Sequence, residues 1–84
     1  MTDQEILALF TGILRDLLDD DSIVLGMDTV RSDVANWDSL SYVSFIVAAE
    51  TKLGVKFRIA DVESFSKVGD IVAQARVLLQ KSKP

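Results

Sequence analysis

Neither cysteine nor histidine occurs anywhere in these 84 residues. Without cysteine there is no disulfide framework, and no thiolate to attack a substrate or bind a metal. Without histidine the commonest general base and the commonest neutral metal ligand are both missing. Chemistry by the chain alone would rest on carboxylates, lysines and hydroxyls, and any thiol must arrive with a cofactor. Positive charge is scarce as well. Thirteen acids against nine bases leave a net charge of −4 and an isoelectric point near 4.5. Nucleic acid and anionic membrane need a cationic patch, so neither is an expected partner, whereas basic protein surfaces are. No apolar run approaches a membrane span, so no membrane insertion is expected. Met1-Thr2-Asp3-Gln4-Glu5 lacks the positive start of a signal peptide, and a cytoplasmic protein is expected.

An apolar fraction of 49% is ample for a folded globule and argues against disorder. The length suits one domain over 1–84, burying about 60–65% of the surface its unfolded chain exposes. Thr2 and Glu5 have capping-box spacing and open a first helix. Ile6, Phe10, Ile13, Leu14 and Leu17 recur at helical spacing within it, and Leu7 and Leu18 widen the stripe. Asp16, Asp19, Asp20 and Asp21 then oppose the helix dipole, which predicts a stop near Leu18. Residues 19–37 form a long connection, expected to be ordered and pinned by Ile23, Val24, Leu25, Met27, Val30, Val34 and Trp37.

A second helix is predicted from Ser39 or Leu40 to Leu53, with Asp38 as N-cap and Gly54 as the C-terminal stop. Its expected buried stripe is Leu40, Val43, Ile46, Val47 and Leu53, broadened by Phe45 and Ala49. Val55-Lys56-Phe57-Arg58-Ile59 alternates like a strand but lacks a partner. It is expected to pack Val55, Phe57 and Ile59 onto helices as a lone extended segment. Asp61 to Phe65 would make one short helical turn. Ser66 would cap a last helix that buries Val68, Ile71, Val72, Ala75, Leu78 and Leu79. Lys81 and Lys83 suit its dipole, and 81–84 are expected to fray. The predicted fold class is all-α: a small four-helix bundle, three helices long and one short, with a long loop between helices one and two.

The chemically suggestive point is Asn36-Trp37-Asp38-Ser39-Leu40-Ser41. Ser39 would stand on the first turn of a helix, beside backbone N–H groups with no intrahelical acceptor. Such a place accommodates a phosphate ester, since the helix N-terminus offers donors and partial positive charge. Taken alone, Asp38-Ser39-Leu40 reads first as an N-cap, a polar first-turn residue and a core leucine, and only its surroundings change that balance. An EF-hand reading of Asp19-Asp20-Asp21 fails, because Ile23 and Leu25 occupy positions that need oxygen ligands. A hydrolase built on Ser39 lacks a histidine to activate it.

Asp33-Val34-Ala35-Asn36-Trp37-Asp38-Ser39-Leu40-Ser41-Tyr42-Val43 resembles the attachment site of acyl carrier proteins. The likeness continues through Phe45 to Glu50, through Leu53-Gly54-Val55-Lys56-Phe57, and into Val68-Gly69-Asp70-Ile71-Val72. It implies a non-catalytic carrier in which Ser39 holds 4′-phosphopantetheine, delivered from coenzyme A by a phosphopantetheinyl transferase. The arm would carry acyl groups as thioesters. Acyl-loading, condensing or acyltransferase enzymes would dock transiently on a monomer. The resemblance also implies a second role for Asp38, contact with Mg²⁺ during loading. Leu40, Tyr42, Val43, Asp61 and Glu63 become expected partner contacts. Phe45, Ile46, Val47, Ile59, Val62 and Phe65 become expected lining for an acyl chain, against the plainer expectation that they form solid core in the unloaded protein.

Helix two departs from the acidic docking face usual among fatty-acid carriers. Ser41, Tyr42, Ser44, Ala48, Thr51 and Lys52 occupy much of it, leaving Glu50 as its only acid after Asp38. Weaker electrostatic steering toward the general fatty-acid machinery is the consequence. A specialised lipid or polyketide pathway is expected instead. A peptidyl or aminoacyl carrier would use the same Ser39, while an unmodified helical adaptor would not need it.

Overall fold

Residues 1–81 are described by a computed structural model. Thr2 opens α1 (Asp3–Leu18) with the expected reciprocal pair: the Glu5 N–H donates to Thr2 Oγ1 at 3.2 Å, and the Thr2 N–H donates to Glu5 Oε1 at 2.8 Å. The helix ends where the acids begin, with Asp19 in the left-handed region at φ 52°. Helix α2 (Ser39–Leu53) is closed by Gly54 at φ 68°, a conformation glycine adopts without a Cβ penalty. A short α3 (Ile59–Ser64) and a final α4 (Val68–Lys81) complete the bundle. The fold is therefore the all-α four-helix arrangement that the patterning predicts, and no strand occurs among the described residues. Lys81 is still helical, and the rest of the expected frayed tail lies outside the described residues.

Helix α1 packs on both α2 and α4. Ile6, Phe10 and Leu14 meet Phe45, Ala49, Val72 and Ala75 in one core, with Phe10 edge-on to Phe45 at 5.3 Å between ring centroids. Four expectations about burial need correcting. Leu40, Val43 and Val47 do not point into the bundle; the buried face of α2 is Phe45, Ile46 and Ala49, about 150° round the helix. Ile59 is exposed as the first residue of α3 and does not pack as part of an extended segment. Leu17 falls outside the α1 stripe, and Val24 is the outward residue of the loop, between buried Ile23 and Leu25.

The long loop is strapped down near its start and at its middle. Arg15 Nε donates to the Ile23 carbonyl at 2.7 Å. Further on, the first N–H groups of α4 find acceptors in the loop: Val68 N–H donates to Thr29 O at 2.8 Å and Gly69 N–H to Met27 O at 2.7 Å. Donors left over at a helix start thus bind the loop. Only glycine fits at 69, since a Cβ there would lie 2.7 Å from the Met27 carbonyl oxygen. Ser66 does not cap α4 as expected; Asp70 Oδ2 accepts from the N–H groups of Ser66 and Lys67 and from the Ser66 hydroxyl.

Candidate functional site

A turn of 3₁₀ helix at Arg31–Asp33 brings the loop round to α2. Asn36 then takes a left-handed conformation, φ 69°, a region that asparagine enters more readily than most residues. Its carbonyl thereby lies 3.0 Å from the Ser41 hydroxyl. Trp37 turns inward, 5% exposed, edge-on to Phe45 at 5.3 Å and 6.2 Å from the Tyr42 ring. Its indole N–H is buried without a hydrogen-bond partner among the described residues. With Trp37 anchored, Asp38 and Ser39 are left outside.

Asp38 is the N-cap: its Oδ1 accepts from the Ser41 N–H at 2.9 Å and lies 3.0 Å from the Ser41 hydroxyl. These two bonds hold the Asp38 carboxyl below the usual carboxylate range. Ser39 is the first residue of α2 and is exposed, and its hydroxyl makes no hydrogen bond with any described residue. An unengaged hydroxyl on a rigid helix start suits esterification by a bulky group. No cluster of three potential metal ligands occurs among the described residues.

Two depressions run from Ser39 along α2 and α3. The nearer, about 290 Å³, is lined by Ser39, Tyr42, Val43, Val62, Phe65 and Arg31, with Glu63 on its edge. The next, about 350 Å³, is lined by Val43, Ile46, Val47, Phe57, Ile59 and Val62, with Glu50, Lys56 and Glu63 around it. The second brings together four of the six residues expected to line an acyl chain: Ile46, Val47, Ile59 and Val62. Phe65 lies at the first depression, while Phe45 is wholly in the main core and faces neither. Val47 and Ile59 line open surface, which corrects the expectation that all six are solid core.

Helix α3 is held beside α2 by the Tyr42 hydroxyl, which donates to the Val62 carbonyl at 2.7 Å, and by Glu50, whose carboxylate accepts from the Phe57 N–H at 2.7 Å. Burial pushes the Tyr42 hydroxyl pKa up, against the opposing pull of Arg31, whose guanidinium carbon lies 4.7 Å from the centre of the Tyr42 ring. Of the expected partner contacts, Leu40 is 78% exposed and Val43 54% exposed, and Glu63 is also exposed. Asp61 is half-buried, with its carboxylate 3.1 Å from Arg58. Sequence reasoning overlooked Arg31, Gly69 and the left-handed Asn36. Only Asn36 carried a local signal, an asparagine two residues ahead of an N-cap.

No protein-family model matches the chain, and no curated protein does. Among solved structures, it is similar to the solution NMR structure of the holo acyl carrier protein from Geobacter metallireducens. The two are 36% identical with a TM-score of 0.82, over 89% of this chain and 86% of that one. The chain belongs to the acyl carrier protein family. Membership brings a carrier role in general terms and a fold with its long first loop. Against the acidic docking face common in that family, α2 here presents Leu40, Val43 and Val47, and its one later acid, Glu50, is turned to the Phe57 N–H.

Proposed function

We propose that this chain carries acyl intermediates as thioesters on 4′-phosphopantetheine esterified to Ser39, and that it does no catalysis itself. The observation that carries the reading is the Ser39 hydroxyl, exposed and without a hydrogen bond at the first residue of α2, in a chain of this family. The residues fit the group: a free hydroxyl for the phosphodiester, Asp38 fixing the helix start beneath it, and an apolar depression within one helical turn. In loading from coenzyme A, Ser39 Oγ would bond to the phosphorus that bears the pantetheine as the pyrophosphate P–O bond breaks and adenosine 3′,5′-bisphosphate leaves. The serine proton passes to a base of the phosphopantetheinyl transferase, since no histidine is present here to take it. Asp38 keeps Ser39 at the helix start and, being exposed and ionised, is placed to meet the transferase's Mg²⁺. The arm's terminal thiol supplies the thioester.

Intact mass after incubation with coenzyme A and a broad-specificity transferase tests this. Wild type gains one phosphopantetheine and Ser39→Ala gains none. A folded wild type that stays unmodified, both there and when purified from its own host, would point to the unmodified adaptor and end the carrier reading.

Leu40, Tyr42, Val43, Asp61 and Glu63 are the proposed partner contacts. The exposed apolar stripe favours enzymes whose docking sites are apolar and not strongly basic, in a specialised lipid or polyketide pathway. General fatty-acid synthase components using this carrier as efficiently as their usual one would overturn that assignment. The 350 Å³ depression between α2 and α3 is the proposed shelter for an aliphatic cargo. Ala49 lies in the main core and is no probe of it, so the test is Val47→Trp. Filling the depression shortens the lifetime of an octanoyl thioester toward hydroxylamine; an unchanged lifetime removes the shelter.

A further inference from the structure

Arg31 is the arginine whose charge the protein leaves unspent. Of the four arginines, Arg58 and Arg76 pair with Asp61 and Asp3, each at 3.1 Å, and Arg15 donates to the Ile23 carbonyl. Among the described residues the Arg31 guanidinium meets no carboxylate within ion-pair distance. The acids around it are engaged or apart. Asp33 accepts from the Val30 N–H at 3.0 Å, and Asp28 faces Lys67 at 3.7 Å. Asp61 is held by Arg58, and Glu63 sits on the edge of the same depression without pairing.

The guanidinium is nevertheless held in place. It stacks over the Tyr42 ring at 4.7 Å, and that ring is fixed in turn by its hydroxyl bond to Val62 and by Trp37. Tyr42 follows Ser39 by three residues on α2, so the two share a face one turn apart. Arg31 and Ser39 accordingly line one depression. A guanidinium is a planar, permanently charged fork of donors, well suited to two oxygens of a phosphate.

We infer that Arg31 is the positioning residue for the phosphodiester on Ser39, pairing with its non-bridging oxygens and setting the direction in which the arm leaves α2. The inference rests on the Ser39 reading. Pinned at this point, the arm starts out along the depression between α2 and α3, toward the apolar shelter.

The test uses ¹⁵N-labelled full-length protein before and after loading, with intact mass recorded on the same samples. Loading shifts the Arg31 Nε–Hε resonance and slows its exchange with water by about twofold to fivefold, the range open to an exposed ion pair. The signals of Arg15, Arg58 and Arg76 stay in place. In loaded Arg31→Gln the ³¹P resonance of the arm narrows, because the phosphodiester is no longer tethered, and Arg31→Lys restores part of the width. Unchanged helical circular dichroism shows that both variants are folded. A mass gain with Arg31 unmoved, or moved no more than Arg58, overturns this inference and leaves the carrier reading standing. Absence of any mass gain, both there and in protein purified from its own host, removes both.

Discussion

At the residue scale, the site depends on one aromatic side chain used three ways. Tyr42 donates to Val62, packs beside Trp37 and receives the Arg31 guanidinium on its face. It is the single tyrosine of the chain, so its titration can be followed by near-ultraviolet absorbance without assignment. Burial raises its pKa and the Arg31 charge lowers it, burial being the larger effect. Removing the cation in Arg31→Gln therefore moves the midpoint further up, while Arg31→Lys moves it less. A midpoint unchanged in Arg31→Gln would place the guanidinium elsewhere. Ser39 was legible in the sequence for the opposite reason: its position depends on Asp38 beside it in the chain, and local capping rules suffice. Arg31 was not, because its place over Tyr42 depends on a loop closure that no local pattern records.

At the element scale, α1 and α2 follow from capping and periodicity and begin and end at the expected caps and stops. By contrast, α3 starts at Ile59 instead of Asp61, with no side-chain cap, and Ser66 does not cap α4. The faces were less legible. Helix α2 carries apolar residues on most of its circumference, so two stripes compete for the core. The one containing Leu40, Val43 and Val47 looked the better by spacing, yet the aromatic bulk of Phe45 and its contacts with Phe10 and Trp37 decided the rotation. The loop was recognised as ordered, but its main fastening is backbone to backbone, from Val68 and Gly69 to Thr29 and Met27, and side-chain patterns do not register it. Gly69→Ala tests that fastening. Its Cβ would lie against a backbone oxygen at 2.7 Å, so helix or loop must shift. We expect a loss of about 1–3 kcal/mol in denaturant unfolding, as for other overpacked sites. Gly12→Ala, where a Cβ meets nothing within 4 Å, is the control and is neutral or stabilising.

At the scale of the whole molecule, the described residues enclose one core, and the radius of gyration is 12.0 Å. Carboxylates fasten helix starts and a turn: Glu5, Asp20, Asp38 and Asp70 each accept from nearby N–H and hydroxyl groups, which lowers the pKa of each. A group whose pKa is lower folded than unfolded stabilises the fold above its unfolded value, near 4. That stabilisation is lost as the pH falls through the folded value. Thermal midpoints should thus be flat from neutrality to about pH 5 and decline below pH 4. Asp70→Asn, which keeps an acceptor but cannot titrate, should flatten that decline. Equal acid slopes in wild type and variant would assign the loss to other groups.

The outward stripe of Leu40, Val43, Val47 and Ile59 also governs how copies of this protein treat one another. In neutral solution the surplus of carboxylates keeps them apart by mutual repulsion. Acidification toward the isoelectric point near 4.5 removes the repulsion but not the stripe. Colloidal stability therefore fails sooner than the fold does, and this exposed apolar stripe becomes the place where the protein first sticks to itself.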